Sequence, residues 1–306
     1  MKWIILSTIF ILLFFCYCDQ IIVDSTDLGT IVGKVYRADT DSVISKATIT
    51  TFPPTDTVYS FIDGGFSIHS VVPGNYKILA EKSGYIYDSS FISVYPSLIT
   101  VINLTLNKNK ILILQEDFES YSVNSFPSSG GWTKYDNGLP YLNQIITNAV
   151  KYSGQKSLQM KSEGSLEAVI FKSIPHYEIV TFESCIKTPP INDIINGWVG
   201  IGLVKIEEDK GHHNGILALD TKRGYVMFGA EELDEEGYLT MFEFGNWILL
   251  RCKVNYFKKT MTIWVNDVLV LDNYSVNDLM DDYEKFFLLA YSNSSIFFDD
   301  IKIWGE

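Results

Sequence analysis

The chain has 306 residues, 47% of them hydrophobic, a composition that excludes a disordered protein and leaves room for about two domains. Its 24 Lys and Arg against 37 Asp and Glu leave a formal net charge of −13, which repels a phosphate backbone and argues against nucleic-acid binding. Aromatic residues make up 14%, with 18 Tyr and 19 Phe, side chains suited to the half-buried pleated surface of a sheet.

Taken in chain order, Met1-Lys2 and the apolar run Trp3 to Tyr17 read as a secretion signal over residues 1–18. The run falls short of the ~20 apolar residues that a spanning helix needs, and an uncleaved anchor is the competing reading. Cys16 and Cys18 stand where the run ends, with Leu13 three residues before Cys16. This resembles a bacterial lipoprotein signal, in which a cysteine is lipidated. Phe15 and Tyr17 are bulkier than the small residue such signals place before the cysteine, so lipidation and simple cleavage both stay open. Either outcome implies export: to the cell surface or periplasm on a lipid anchor, or otherwise as a secreted protein. Residues 19–27 form a tether.

From residue 28 to 106 short alternating runs are separated by turn residues, as in an antiparallel sandwich. Ile31, Gly33 and Val35 open it, Ala47 to Thr51 follows, and Pro53-Pro54 closes that strand. Asp63-Gly64-Gly65 is a turn, because glycine takes positive φ without steric cost. Phe66 to Ile68, Lys77 to Ala80 and Ile99 to Leu106 supply further strands. Gly33-x-Val35, Asp63-Gly64-Gly65-Phe66, Pro73-Gly74-Asn75-Tyr76 and Gly84-Tyr85, in this order, resemble the carboxypeptidase regulatory-like domain. That resemblance implies a transthyretin-like β-sandwich used as an add-on in exported proteins, without peptidase activity. His69 reads as a strand residue near a turn.

Residues 107–110 are a short polar joint, and residues 111–306 read as a larger all-β domain. Asp117 to Tyr121 and Phe298 to Ile301 read as its first and last strands. Between them lie strand runs at Leu158 to Lys161, Ala168 to Phe171, Ile179 to Ile186, Trp198 to Ile206, Gly215 to Leu219 and Gly224 to Phe228. Trp247 to Tyr256, Met261 to Val265, Val268 to Leu271, Phe286 to Tyr291 and Ile296 to Ile303 complete the set, and only Val276 to Lys285 reads as a helical turn. Alternation puts Cys252 with Leu250 and Val254 but Cys185 with Glu183 and Lys187, so the two thiols face apart and form no bridge.

The DFESY segment, a Gly-Gly-Trp loop, the turn Ser153 to Leu158, a central Gly-Trp strand, Val265-Asn266-Asp267 and the closing FDDIKI resemble the concanavalin A-like (laminin-G-like) jelly rolls. Through its two ends the domain also resembles carbohydrate-binding jelly rolls with a structural calcium ion. This implies Ca2+ held by carboxylates of Glu119 and Asp299 or Asp300 and by carbonyls of the Lys156-Ser157 turn, with Asp117 as an outer candidate. Exposed acids at strand ends are the alternative.

Two features bear on chemistry. Glu232-Leu233-Asp234-Glu235-Glu236 matches the E-x-D-x-E pattern of retaining glucanases of this fold, with Glu232 and Glu236 as the carboxyl pair. Its hydrophilic surroundings and Gly237 instead read as a solvated hairpin tip, and His212-His213 reads as a loop tip. Binding points elsewhere: Val199, Ile201 and Leu203 alternate onto the core, which leaves Trp198 on the opposite face in line with Gly200 and Gly202. An indole beside a bare strand offers a plate to the C–H face of a sugar, and Tyr225 lies on that face two strands along. The expectation is an exported, non-catalytic carbohydrate-binding protein whose partner is a polysaccharide or glycan and which meets a membrane only through its N-terminal anchor. A glycoside hydrolase using Glu232 and Glu236, and a structural or adhesion protein, are the alternatives.

Overall fold

The computed structural model of the chain describes residues 27–190, 197–207, 210–229, 233–276, 279, 282–291 and 295–306, with the backbone alone at 206, 207, 210–214 and 233–236. The signal, the tether up to residue 26, and Cys16 and Cys18 lie outside the described residues. The protein is all-β, built from two compact units with their border between Asn107 and Lys108.

The first unit contains β1 (Gly29–Arg37), β2 (Thr48–Phe52), β3 (Val58–Tyr59), β4 (Gly65–Val71), β5 (Gly74–Glu81), β6 (Tyr85–Ile86), β7 (Asp88–Val94), β8 (Ile99–Val101) and β9 (Leu104–Lys108). They form a sandwich of two sheets, one ordered β4-β1-β9-β6 with β8 also on β1, the other β3-β2-β5-β7. Alternation sets the inner faces: Ile31 and Val35 from one sheet, Ile49, Ile78 and Ala80 from the other, all fully buried in one cluster.

The second unit contains β10 (Ile111–Glu116), β11 (Trp132–Lys134), β12 (Gln144–Thr147), β13 (Ser157–Met160), β14 (Ala168–Ser173), β15 (Ile179–Lys187), β16 (Trp198–Glu207) and β17 (Lys210–Asp220). It continues through β18 (Tyr225–Gly229), β19 (Leu233–Met241), β20 (Trp247–Asn255), β21 (Thr260–Val265), β22 (Val268–Ser275), β23 (Lys285–Ala290) and β24 (Ile296–Gly305). An eight-stranded sheet runs β12-β13-β24-β15-β20-β21-β22, with β10 also on β24. A seven-stranded sheet runs β11-β14-β23-β16-β17-β18-β19. Between them lies one hydrophobic core that includes Phe118, Trp132, Phe182, Phe286 and Phe298.

Two expectations change. Asp117 to Tyr121 is a turn; the strand is the preceding Ile111–Glu116, which pairs antiparallel with β24 from Ile111↔Gly305 to Glu116↔Ile301. The turn is folded inward by Glu116, whose carboxylate accepts bonds from Phe118 N (3.1 Å), Tyr121 OH (2.6 Å) and Trp132 Nε1 (3.0 Å). His212 and His213 lie within β17, paired with Lys205 and Val204, and so are not a loop tip. Within Val276 to Lys285, residues 277, 278, 280 and 281 lie outside the described residues; of the rest, Lys285 opens β23 and none is helical. Cys185 and Cys252 are buried free thiols.

Candidate functional site

Trp198 opens β16 on the outer side of the seven-stranded sheet, because Val199, Ile201 and Leu203 are drawn fully into the core. Its indole is 43% exposed, a large apolar surface left in water at a strand end. Directly across the ladder stands Asp220, the last residue of β17, and across from that stands Tyr225 on β18.

Asp220 is 1% exposed, and each of its carboxylate oxygens is occupied. Oδ1 accepts from Lys222 N (2.9 Å) and Arg223 N (3.1 Å); Oδ2 accepts from Tyr238 OH (2.9 Å) and Arg223 Nη1 (3.2 Å). Burial alone would raise this carboxyl, but the bonds from Tyr238, Arg223 and Lys222 outweigh it and hold the group below its ordinary value. The acid therefore stays charged and fixes the β17–β18 turn, with the Arg223 guanidinium above the Tyr238 ring at 5.6 Å. Thr221 Oγ1 ties that turn to Gly197 O (2.7 Å), and Tyr291 N donates to Trp198 O (2.7 Å).

These contacts frame a cleft of about 300 Å³. Its walls are Trp198 and Tyr291 as rings, Lys222 and Arg223 as cations, Asp220 and Glu167 as acids, and Gly197. Chemically this is an apolar ring surface rimmed by fixed hydrogen-bonding groups of both signs, the make-up of a small-ligand site. The alternation of β16 revealed Trp198. Asp220 to Arg223 passed unnoticed as a link between strands, although Asp at a strand end with Gly four residues on is a turn signature. Glu167 and Tyr291 reach the cleft from distant β14 and β23 neighbourhoods and left no local signal.

Two parts of the expected platform differ. The strand beside Trp198 is not bare, for Gly200 and Gly202 are buried. A Cβ at Gly202 would lie 2.7 Å from the Phe287 ring, so the missing side chain is space that this ring fills. Phe287, Leu289, Ala218 and Met227 form a second apolar cluster over that part of the sheet. Tyr225, in turn, packs its ring 5.2 Å from Tyr238, is half-buried, and is not among the residues that line the cleft.

At the joined ends of the domain, the structure does gather Glu119, Asp299, Asp300, Lys156 and Ser157. Glu119 Oε1 accepts from Gln155 N (2.6 Å) and Lys156 N (2.8 Å), and Gly154, at φ +57°, lets the turn close over that carboxylate. Asp299 Oδ2 accepts from Tyr152 N (2.9 Å) and Ser153 N (3.2 Å); Ser153 Oγ donates to Asp300 Oδ1 (2.9 Å). Lys156 Nζ donates to the carbonyls of Glu119 and Tyr121, both at 2.7 Å. Ser157 Oγ donates to Val150 O (2.5 Å). The turn thus offers these carboxylates N–H donors, and an ammonium sits on the carbonyls. This donor set does not fit a calcium cage, which needs oxygens converging on one point. Among the described residues no group of three or more His, Cys, Asp or Glu is arranged to hold a metal ion.

Glu232 lies outside the described residues, as does the side chain of Glu236, whose backbone belongs to β19 and not to a hairpin tip.

No family profile matches the sequence, and no curated protein matches it. Among solved structures the chain is similar to a sialidase at 12% identity and TM-score 0.44, covering 76% of this chain and 21% of that one. It is similar to a cellulose-induced protein at 15% identity and TM-score 0.45, covering 62% and 96%. It is also similar to domain 4 of an extracellular arabinanase from Geobacillus stearothermophilus, solved with arabinotriose, at 11% identity and TM-score 0.45, covering 65% and 94%. The chain spans about a fifth of the length of the sialidase.

Proposed function

We propose that the protein is an exported, non-catalytic carbohydrate-binding protein that takes a glycan at the Trp198 cleft. The observation that carries this is the half-exposed indole in a cleft of about 300 Å³, bordered by a charged rim that Asp220 holds rigid. A pyranose presents apolar C–H groups on one face and hydroxyls around its edge; the ring takes the first and Arg223, Lys222 and Glu167 take the second. Rigidity favours binding, since less side-chain freedom is lost when the ligand arrives. The apolar N-terminal run supports export, and Cys16 or Cys18 supports a surface lipid anchor. On this reading the first unit, akin to the carboxypeptidase regulatory-like domain, is a spacer that carries the jelly-roll unit outward.

Indole fluorescence tests the site. Titration with arabino-, xylo-, galacto- and gluco-oligosaccharides should perturb the emission of the wild type with at least one sugar, and Trp198→Phe should remove most of that change. A saturable response that Trp198→Phe leaves intact would place the glycan elsewhere.

A further inference from the structure

The first unit carries apolar surface that its core does not use, and a large part of it lies where the chain enters. β1 starts at Gly29, and three connections meet that end of the sandwich. Val71 pairs with Gly29 and leads into Val72-Pro73-Gly74. Gly74 pairs with Val94, which leads into the turn from Tyr95 to Leu98, and Leu98 O accepts from Thr30 N at 3.0 Å. Phe52, ahead of Pro53-Pro54, closes the set, in one row with Lys77 and Phe91. Phe52 (75% exposed), Val72 (50%), Phe91 (82%), Tyr95 (59%), Leu98 (57%) and Ile99 (66%) all stand in water. Large apolar side chains gathered in this way at one end differ from the scattered single residues of an ordinary surface.

Charge separates this end from the other. Residues 52–54, 72–78 and 91–101 contain no carboxylate and one cation, Lys77, whose exposed ammonium has no hydrogen-bond or ion-pair partner among the described residues. Asp27, at the tether, and Asp56, in the loop after Phe52, are the acids on this side. Asp39, Asp41, Asp63, Glu81 and Asp88 lie toward the other end. The first two follow β1, Asp63 turns into β4 where Gly65 pairs with Lys34, and Glu81 pairs with Thr48. Asp88 Oδ2 accepts from Thr105 N at 2.8 Å, beside the β9 residue that pairs with Val35. Phe61, Ile62 and Tyr87 are exposed at that end too, but they stand among those acids.

We propose that this end of the first unit rests in a lipid bilayer, its turns entering the interface and Lys77 reaching the phosphates. The proposal rests on the reading of an exported chain held at a membrane by its N-terminal segment. The length of chain points to the occupant. Residues 19–27, between that segment and β1, reach about 30 Å when fully extended and about half that as a flexible coil, so the entry end is the one kept beside the bilayer. β9 runs parallel to β1, and the chain leaves the unit at the opposite end. Apolar side chains sink about 5–10 Å into the headgroup boundary, a depth that tyrosine also favours. Lys77 stands three residues beyond Gly74, about 10 Å back along β5, where an ammonium meets phosphate oxygens. The acids at the far end would be repelled by an anionic leaflet.

The test is hydrogen exchange, read by mass spectrometry, on the full chain in vesicles of phosphatidylethanolamine and phosphatidylglycerol at about 3:1, against the same chain in detergent. Amides of residues 72–77 and 91–99 should exchange about tenfold or more slowly on vesicles, while those of 61–65 and 84–88 stay within about twofold. Val72→Asp with Leu98→Asp should remove the slowing at residues 73–77 and 91–96 although the chain still floats with the vesicles. Melting curves confirm that the variant folds, and Val72→Ser with Leu98→Ser is the milder pair should it not. Flotation separates the two readings. A chain that does not float with vesicles would overturn the membrane attachment, and the docking with it. A chain that floats while residues 72–77 and 91–99 exchange as they do in detergent, or while both ends are slowed equally, would overturn the docking alone.

Discussion

Glu116 shows how one side chain decides where a strand ends. Its carboxylate takes bonds from the Tyr121 hydroxyl and the Trp132 indole, both rings being buried, and so turns the chain into the core straight after β10. Glu116→Ala strands three buried donors, Phe118 N among them, and we expect a loss of about 3 kcal/mol of unfolding free energy, measurable by urea titration. A loss under about 1 kcal/mol would mean that water reaches those donors. Two aspartates respond to pH in opposite ways. Burial raises Asp299 to about 6 despite the bonds from Tyr152, Ser153 and Asp300, so the folded state binds this proton more tightly than the unfolded chain does. Its contribution to stability therefore falls as pH rises from about 4 to about 6, by an amount of order 2 kcal/mol. Melting temperatures of the wild type should drop by about 5 °C over that range relative to Asp299→Asn; parallel curves would contradict the assignment. Asp220, held below its ordinary value, contributes stability that is lost only as pH falls through its lowered folded value.

At the scale of elements, strands that bury one side were readable and those that do not were hidden. Trp247–Asn255 alternates between core and partly exposed positions as far as Val254, and its start and its faces follow from the letters alone, although it ends one residue before the expected Tyr256. Ile111–Glu116 shows no alternation, because it adds to β24 with most of both faces in partial contact with solvent; the acidic DFESY beside it drew the assignment instead. The His212-His213 strand was concealed by the polar Lys-Gly-His-His-Asn spelling, which β16 holds in place through pairing. Trp198 was legible as an outward ring, but its cleft was not, since Glu167 and Tyr291 arrive through the β14–β23–β16 order and local spelling carries no register. The turn at Tyr152 to Ser157 yields a further test. With Lys156 Nζ on two carbonyls, Lys156→Met should cost about 2 kcal/mol. A chelator should leave the wild-type melting temperature unmoved, whereas a rise of several degrees on adding calcium would show that a cation displaces the ammonium.

For the whole molecule, the second unit carries its cleft on the outer face of one sheet, around a core that both sheets share. That face presents an exposed indole in a cleft with a rigid rim. Such a cleft needs a scaffold whose face does not deform with ligand, which the fully buried aromatic centre at Phe182, Phe286 and Phe298 supplies. The net charge of −13 makes any affinity for anions local in origin and sensitive to salt.

Glycan binding at Trp198 is tested most directly by a glycan array probed in parallel with the wild type and Trp198→Ala, both checked for an unchanged melting temperature. The wild type should retain at least one neutral oligosaccharide, and Trp198→Ala should lose it by about tenfold or more, since truncating a stacked ring removes about 1.5 kcal/mol or more. Retention of the same neutral glycans at the same strength by Trp198→Ala would contradict it.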